Sequence, residues 1–159
     1  MEVLVSLVIL SIGLLGIGKL MLFSSRANDS AYLRSQATDL AYQMLDYMRA
    51  NTDPTAQPSY ATLLANPPVN PGVVCIGGAP CSNTQVALFD VYQWKLRLNA
   101  TSGLVPPGAL PNGQGQVDIT PIGSQTQVTI TVQWDDTVAQ STFGNAAAPT
   151  ESIVLETIL

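Results

Sequence analysis

Few side chains in this sequence are equipped for chemistry, and their types narrow what that chemistry is. The only two cysteines, Cys75 and Cys81, lie close together in "NPPVNPGVVCIGGAPCSN", with a Gly-Gly and a Pro between them that suit a tight turn. Histidine is absent and there is no further thiol, so the pair makes a poor zinc site; in an exported chain two such cysteines most often form a disulfide. Asp135 and Asp136 form the densest acidic spot, and with Asp118 they offer oxygens to calcium, a hard cation that takes several such ligands. Adjacent aspartates at the end of a strand are more often a solvated turn. The remaining candidate is Glu2, a carboxylate at the head of the apolar run "MEVLVSLVILSIGLLGIGKLMLFSSR". An ionised acid is costly in lipid unless something pairs with it, which makes an intramembrane acid functional by default. The plain alternative is a Glu2 that rests in the headgroup region.

Catalysis has little to stand on. With no histidine, two tied thiols and carboxylates that are mostly single, neither a nucleophilic triad nor a metal hydrolase site can be assembled. The chain reads as no enzyme, with no cofactor and no small-molecule substrate. Six Lys and Arg against eleven Asp and Glu give a formal charge of −5, and no basic patch appears. Nucleic-acid affinity rests on clustered cations, so that partner class is disfavoured. At 159 residues the chain is long enough for one domain with a core plus an anchoring segment.

The elements that position these residues begin with the apolar run. From Val3 to Phe23 the one charged residue is Lys19, and about 21 residues at a rise of 1.5 Å span roughly the hydrocarbon thickness of a bilayer. A transmembrane helix is expected. A cleavable secretory signal competes with it, but would need a basic start and a small-residue cleavage site. Lys19 and Arg26 sit where long cationic side chains snorkel to an interface. Beyond them Tyr32, Leu33, Ala37, Leu40, Ala41, Met44, Leu45 and Met48 keep a three-to-four spacing, which predicts one continuous helix to about residue 50. Its lower half can pack on a head; its upper half must find lipid or other helices.

"TDPTAQPSY" breaks that helix, because proline fixes φ and removes a donor. A loop-rich stretch follows to about residue 85. "VALFDVYQWKLRLNAT" fits two periods: Leu88, Phe89, Tyr92 and Leu96 share a helical face, while Trp94, Leu96 and Leu98 alternate with Lys95 and Arg97 as in a strand. "SGLVPPGALPNGQGQ" reads as a connection. "VDIT", "QVTITVQWDD" and "ESIVLETIL" carry strand signals, the second with Val128, Ile130, Val132 and Trp134 on one face. Three antiparallel strands on the lower half of the first helix give an α+β head. Trp94 and Trp134 are expected in its core, with amphipathic anchors at an interface as the alternative. The sequons at Asn28 and Asn99 are read as chance matches.

"MEVLVSLVILSIGLLGIGKL" resembles the N-terminal helix of type IV pilins and type II secretion pseudopilins, in which a glutamate near the mature N-terminus precedes an apolar helix. The resemblance implies that Glu2 is the subunit-assembly carboxylate, pairing with the N-terminal amine of a neighbouring subunit. In the family a basic leader ending in Gly is removed and a methylated Phe begins the mature chain; neither is seen here, so Met1 is expected to be an internal residue of the native protein. "FDVYQWKLRL", then "LPNGQGQV", then a strand ending in "VQWDD" resemble the PilV class of minor type IV pilins, the type IV pilus modification proteins. That resemblance implies a helix at "FDVYQWKLRL" and a pilin-like fold: a long N-terminal helix with a transmembrane upper half, residues 1–25, on a periplasmic head, residues 26–159, with a second helix and an antiparallel sheet. It implies a minor pilin in the inner membrane that helps initiate pilus assembly and sits in a tip complex with other minor pilins, an adhesin and the assembly machinery. A minor pseudopilin of type II secretion, a single-pass protein with a periplasmic binding head and a DNA-uptake pilin are the alternatives.

Overall fold

In the computed structural model, residues 2–76, 80–98, 109–123, 125–136 and 150–159 are described. Helix α1 runs from Glu2 to Ala50 without a break. Its 49 residues make a rod of about 74 Å. It ends where expected. Thr55 donates its backbone N–H and hydroxyl to Asp53 Oδ1, closing a turn around Pro54. Gln57 then reaches back, its Nε2 donating to the carbonyls of Met48 at 3.1 Å and Asn51 at 2.7 Å. Those acceptors lie at the end of α1, where the last carbonyls lack helical donors, so Gln57 caps the helix from outside.

A 3₁₀ turn follows at Gln57–Tyr60, and helix α2 spans Asn83–Leu98. Ser82 and Gln85 explain its start: Gln85 N donates to Ser82 Oγ and Ser82 N to Gln85 Oε1. This reciprocal arrangement is a capping box, which satisfies two otherwise orphan donors. The stretch "SNTQ" therefore decides for a helix where the apolar spacing fits either period.

The three strands are β1, Gln114–Ile122, β2, Gln125–Asp135, and β3, Thr150–Ile158. They form one antiparallel sheet in the order β1-β2-β3. Val117 pairs with Ile130 and Ile130 with Leu155, which sets one apolar row facing α1. The outward row, Asp118, Thr129 and Glu156, is polar, as period-two alternation requires when only one face is covered. The fold is α+β and pilin-like: a long N-terminal helix, a second helix and a three-stranded antiparallel sheet.

The core lies between the lower third of α1, the sheet and α2. Ala37, Leu40, Ala41, Met44, Leu45 and Met48 bury one stripe of α1 against Val128, Ile130, Val132 and Trp134, with Leu33 packed at its edge. Tyr32, expected in the same stripe, is 62% exposed, because one residue before Leu33 it falls on a flank of α1 that the head does not cover. Trp94 is fully buried and its Nε1 donates to the Leu40 carbonyl at 2.8 Å, joining α2 to α1. Both tryptophans belong to this core. The buried face of α2 is not the expected one. Ala87, Trp94 and Leu98 enter the core with Val91 packed against them, whereas Leu88 is 45% exposed and Tyr92 and Leu96 are half-buried. Phe89 is buried. The indole is the bulkiest group on the helix, and docking it under α1 rotates the Leu88 edge outward.

Candidate functional site

The upper part of α1 carries a continuous exposed apolar surface. Every large hydrophobic side chain from Val3 to Phe23 is between 55 and 76% exposed, so none is buried by another element among the described residues. An 18-residue window there has mean hydropathy 2.3 and none of it is buried, which separates it from the core helix of a soluble protein. By length and composition the helix can cross a membrane. Two of its hydroxyls are turned inward on the helix: Ser6 Oγ donates to the Glu2 carbonyl and Ser11 Oγ to the Val8 carbonyl, both at 2.8 Å. Such back-bonding removes the cost of placing a hydroxyl in hydrocarbon or between apolar helices. Gly13, Gly16 and Gly18 leave open space beside the backbone. Glu2 lies in the first turn, where the helix dipole favours a negative charge, and among the described residues no side chain pairs with its carboxylate.

Where α1 meets the head, polar anchors replace apolar contact. Ser30 Oγ donates to Asp136 Oδ2 at 2.7 Å, and Arg34 pairs with Glu151 Oε2 on β3 at 3.0 Å. The second contact is exposed and contributes at most about 1 kcal/mol. It serves mainly to orient the helix over β3.

The three aspartates offered for calcium are not brought together. Asp118 stands opposite Thr129, six residues along β2 from Asp135, a separation of about 20 Å in an extended strand. Asp135 accepts from Asn112 Nδ2 at 2.6 Å, Asp118 from Gln116 Nε2 at 2.6 Å, and Asp136 from Ser30. Among the described residues no group of three or more His, Cys, Asp or Glu side chains is placed to hold a metal ion. Sheet register is the reason: it spends the acids along a strand instead of gathering them.

Cys75 and Cys81 are joined in a disulfide with a Cα–Cα distance of 5.9 Å. The neighbouring Val74 and Ile76 project into solvent, 66 and 67% exposed, so the bridge shapes a surface loop and supports no core. Replacing both cysteines by serine is expected to lower stability by about 2 kcal/mol, the loop-closure value for so short a ring. Thermal unfolding followed by circular dichroism checks this. A loss above about 4 kcal/mol would mean that the loop packs as part of the core. Of the two sequons, Asn28 lies on α1 and Asn99 lies outside the described residues.

Two buried polar centres escaped the reading of the sequence. Tyr60 is fully buried, its hydroxyl donating to Asp90 Oδ2 at 3.0 Å or to the Tyr47 carbonyl at 3.2 Å, while Asn51 Nδ2 donates to it at 3.3 Å. Burial raises the Tyr60 hydroxyl far above its ordinary range and also raises the Asp90 carboxyl, partly offset by the Tyr60 hydrogen bond. This cluster clamps the end of α1 to α2.

The second centre is Lys95, only 4% exposed, whose Nζ donates to the carbonyls of Leu63 at 2.6 Å and Asn66 at 2.7 Å. Desolvation lowers its pKa from 10.5 to about 8. Between those two values the unfolded chain holds a proton that the folded chain has released, so this lysine makes stability rise with pH across that window. The gain is on the order of 2–3 kcal/mol by pH 10.5 and is absent at pH 7. Urea unfolding in detergent at pH 7 and pH 10 should therefore show the wild type gaining on Lys95→Met as pH rises. Parallel shifts in the two proteins would exclude a desolvated lysine.

Residues 20–92 are similar to a family described as Tt1218-like, type IV pilin Tt1218. The match runs from the lower end of the apolar segment to the middle of α2. No curated protein and no solved structure matches the chain. Similarity to a type IV pilin family supports a pilin role and assembly into pilus-related complexes, and the apolar upper part of α1 is consistent with membrane anchoring.

Proposed function

We propose that the protein is a minor pilin of the PilV class, anchored in the bacterial inner membrane before assembly and located in the tip complex of a type IV pilus afterwards. The observation that carries this reading is the helix whose upper side chains are all exposed, continuous with a segment similar to type IV pilins. A rod of about 74 Å that buries only its lower part must bury the rest against lipid first and other helices later. Residues 1–25 form the membrane and filament-core half and residues 26–159 the periplasmic head. Glu2 guides registration by pairing with the N-terminal amine of a neighbouring subunit. The loops of the head select the neighbours, other minor pilins and an adhesin.

Photo-crosslinking in cells from Val74 or Ile76, followed by mass spectrometry, tests the reading directly. Capture of other minor pilins and an adhesin is the expected result. Capture of secretion pseudopilins would move the protein to a type II secretion pseudopilus. Recovery of no helix-bearing partner would overturn the filament role in favour of a solitary membrane-anchored receptor.

A further inference from the structure

The loop before α2 and the first turns of α2 form a side of the head that is poor in charge. Residues 54–89 contain no charged residue at all. The loop lays Pro67, Pro68 and Val69 against Leu88 and Tyr92 of α2, enclosing an apolar trough of about 270 Å³. Val69 is 72% exposed at its rim. Lys95 lines this trough, and it also lines a smaller neighbouring cavity of about 140 Å³ walled by Gly113 and Gly115, the two sharing Asn66, Pro67 and Pro68. The side chain of Lys95 is thus buried beside two cavities. Its two hydrogen bonds go to neutral carbonyls, one of its three donors has no acceptor among the described residues, and no carboxylate there pairs with it.

A buried ammonium without an anion is electrostatically incomplete, since opposite charge is what repays desolvation. From the apolar trough, the neutral surroundings and the unpaired cation, we propose that this face docks a partner protein through an apolar side chain with a carboxylate within one residue of it, the side chain filling the trough and the carboxylate binding Lys95 Nζ. The complementarity is specific: an uncharged apolar segment leaves the ammonium unanswered, and a purely acidic one leaves Leu88 and Val69 in water. The lowered pKa of Lys95 agrees with a missing counter-charge. This inference stands apart from the filament reading and holds for any partner with that chemistry.

The chain has two lysines, Lys19 and Lys95, so uniform labelling of lysine with 13C at Cε gives two resolvable signals in the full-length protein in detergent micelles. The probe is the dipeptide N-acetyl-Leu-Glu, and the control is the uncharged N-acetyl-Leu-Gln amide. Saturable movement of the Lys95 signal with the acid, at least tenfold weaker with the amide and with Lys19 unmoved, is expected. The variant Val69→Ser, altered only at the exposed rim, should weaken binding of the acid about threefold or more while leaving the free Lys95 signal in place. No saturable shift up to 20-fold molar excess at millimolar protein would overturn the proposal (~20-fold, a concentration set by the weak affinity of so small a ligand). Equal binding of acid and amide would overturn the role of Lys95, and an unchanged affinity in Val69→Ser would overturn the role of the trough.

Discussion

Substitution of Gly115 by alanine is expected to destabilise the head by about 3 kcal/mol, the upper part of the range for overpacking a tight core. Gly115 is the residue of β1 that faces Val132 across the sheet and lies under α2. A Cβ there would fall inside van der Waals distance of the Trp94 ring and of Leu98 Cδ1. The ring cannot retreat easily, because it is fully buried and its Nε1 is tied to the Leu40 carbonyl. Packing that dense has no void into which a methyl can move. Urea unfolding gives the size of the effect, and a background of Trp94→Leu gives its cause. If the clash with the indole is responsible, the cost of Gly115→Ala shrinks by more than half in that background, a coupling expected only for residues in contact. Additive losses would place the strain elsewhere.

The second large effect concerns assembly and leaves the fold alone. Glu2→Gln keeps the size and helix propensity of the side chain but removes its charge. On the pairing and the complex proposed above, a charged hydrogen-bonded pair contributes about 1.5–3 kcal/mol, so incorporation into that complex should fall roughly 10- to 100-fold. Thermal unfolding of the head should not change, because Glu2 lies far along α1 from the packed stripe that begins near Leu33. Quantitative co-purification from cells measures the first effect and circular dichroism the second. Normal recovery of partners with the variant would end the role proposed for Glu2. A loss of recovery together with an unfolded head would show that the variant had failed for another reason.

Local pattern determined much of this protein. Twenty-one residues with one charge make a helix long and apolar enough to cross a bilayer, whatever the rest of the chain does. The alternation of Val128, Ile130, Val132 and Trp134 makes a strand with one wet face, and these four side chains are all buried. The break after residue 50 follows from the chemistry of proline. The apolar spacing of α2 fits a helix and a strand equally and only the family resemblance favours the helix; its clearest local mark is the reciprocal pairing of Ser82 with Gln85, ahead of that spacing.

Only the tertiary structure decided which face of α2 is covered. Leu88 and Trp94 are both good core residues, and the choice depends on the glycine-lined hollow over β1 into which an indole fits and on the Leu40 carbonyl that accepts its proton. The fate of the charges was hidden for the same reason. Lys95 reads as a solvated residue in either period, and nothing near it in sequence foretells the Leu63 and Asn66 carbonyls that draw it inward from about thirty residues away. Asp118, Asp135 and Asp136 look close in a written sequence, yet strand register separates the first from the others and Ser30 claims the last. Periodicity is a property of a segment and survives in any context; the burial of a particular side chain is a property of the surface that arrives opposite it, and that surface exists only after the chain has folded.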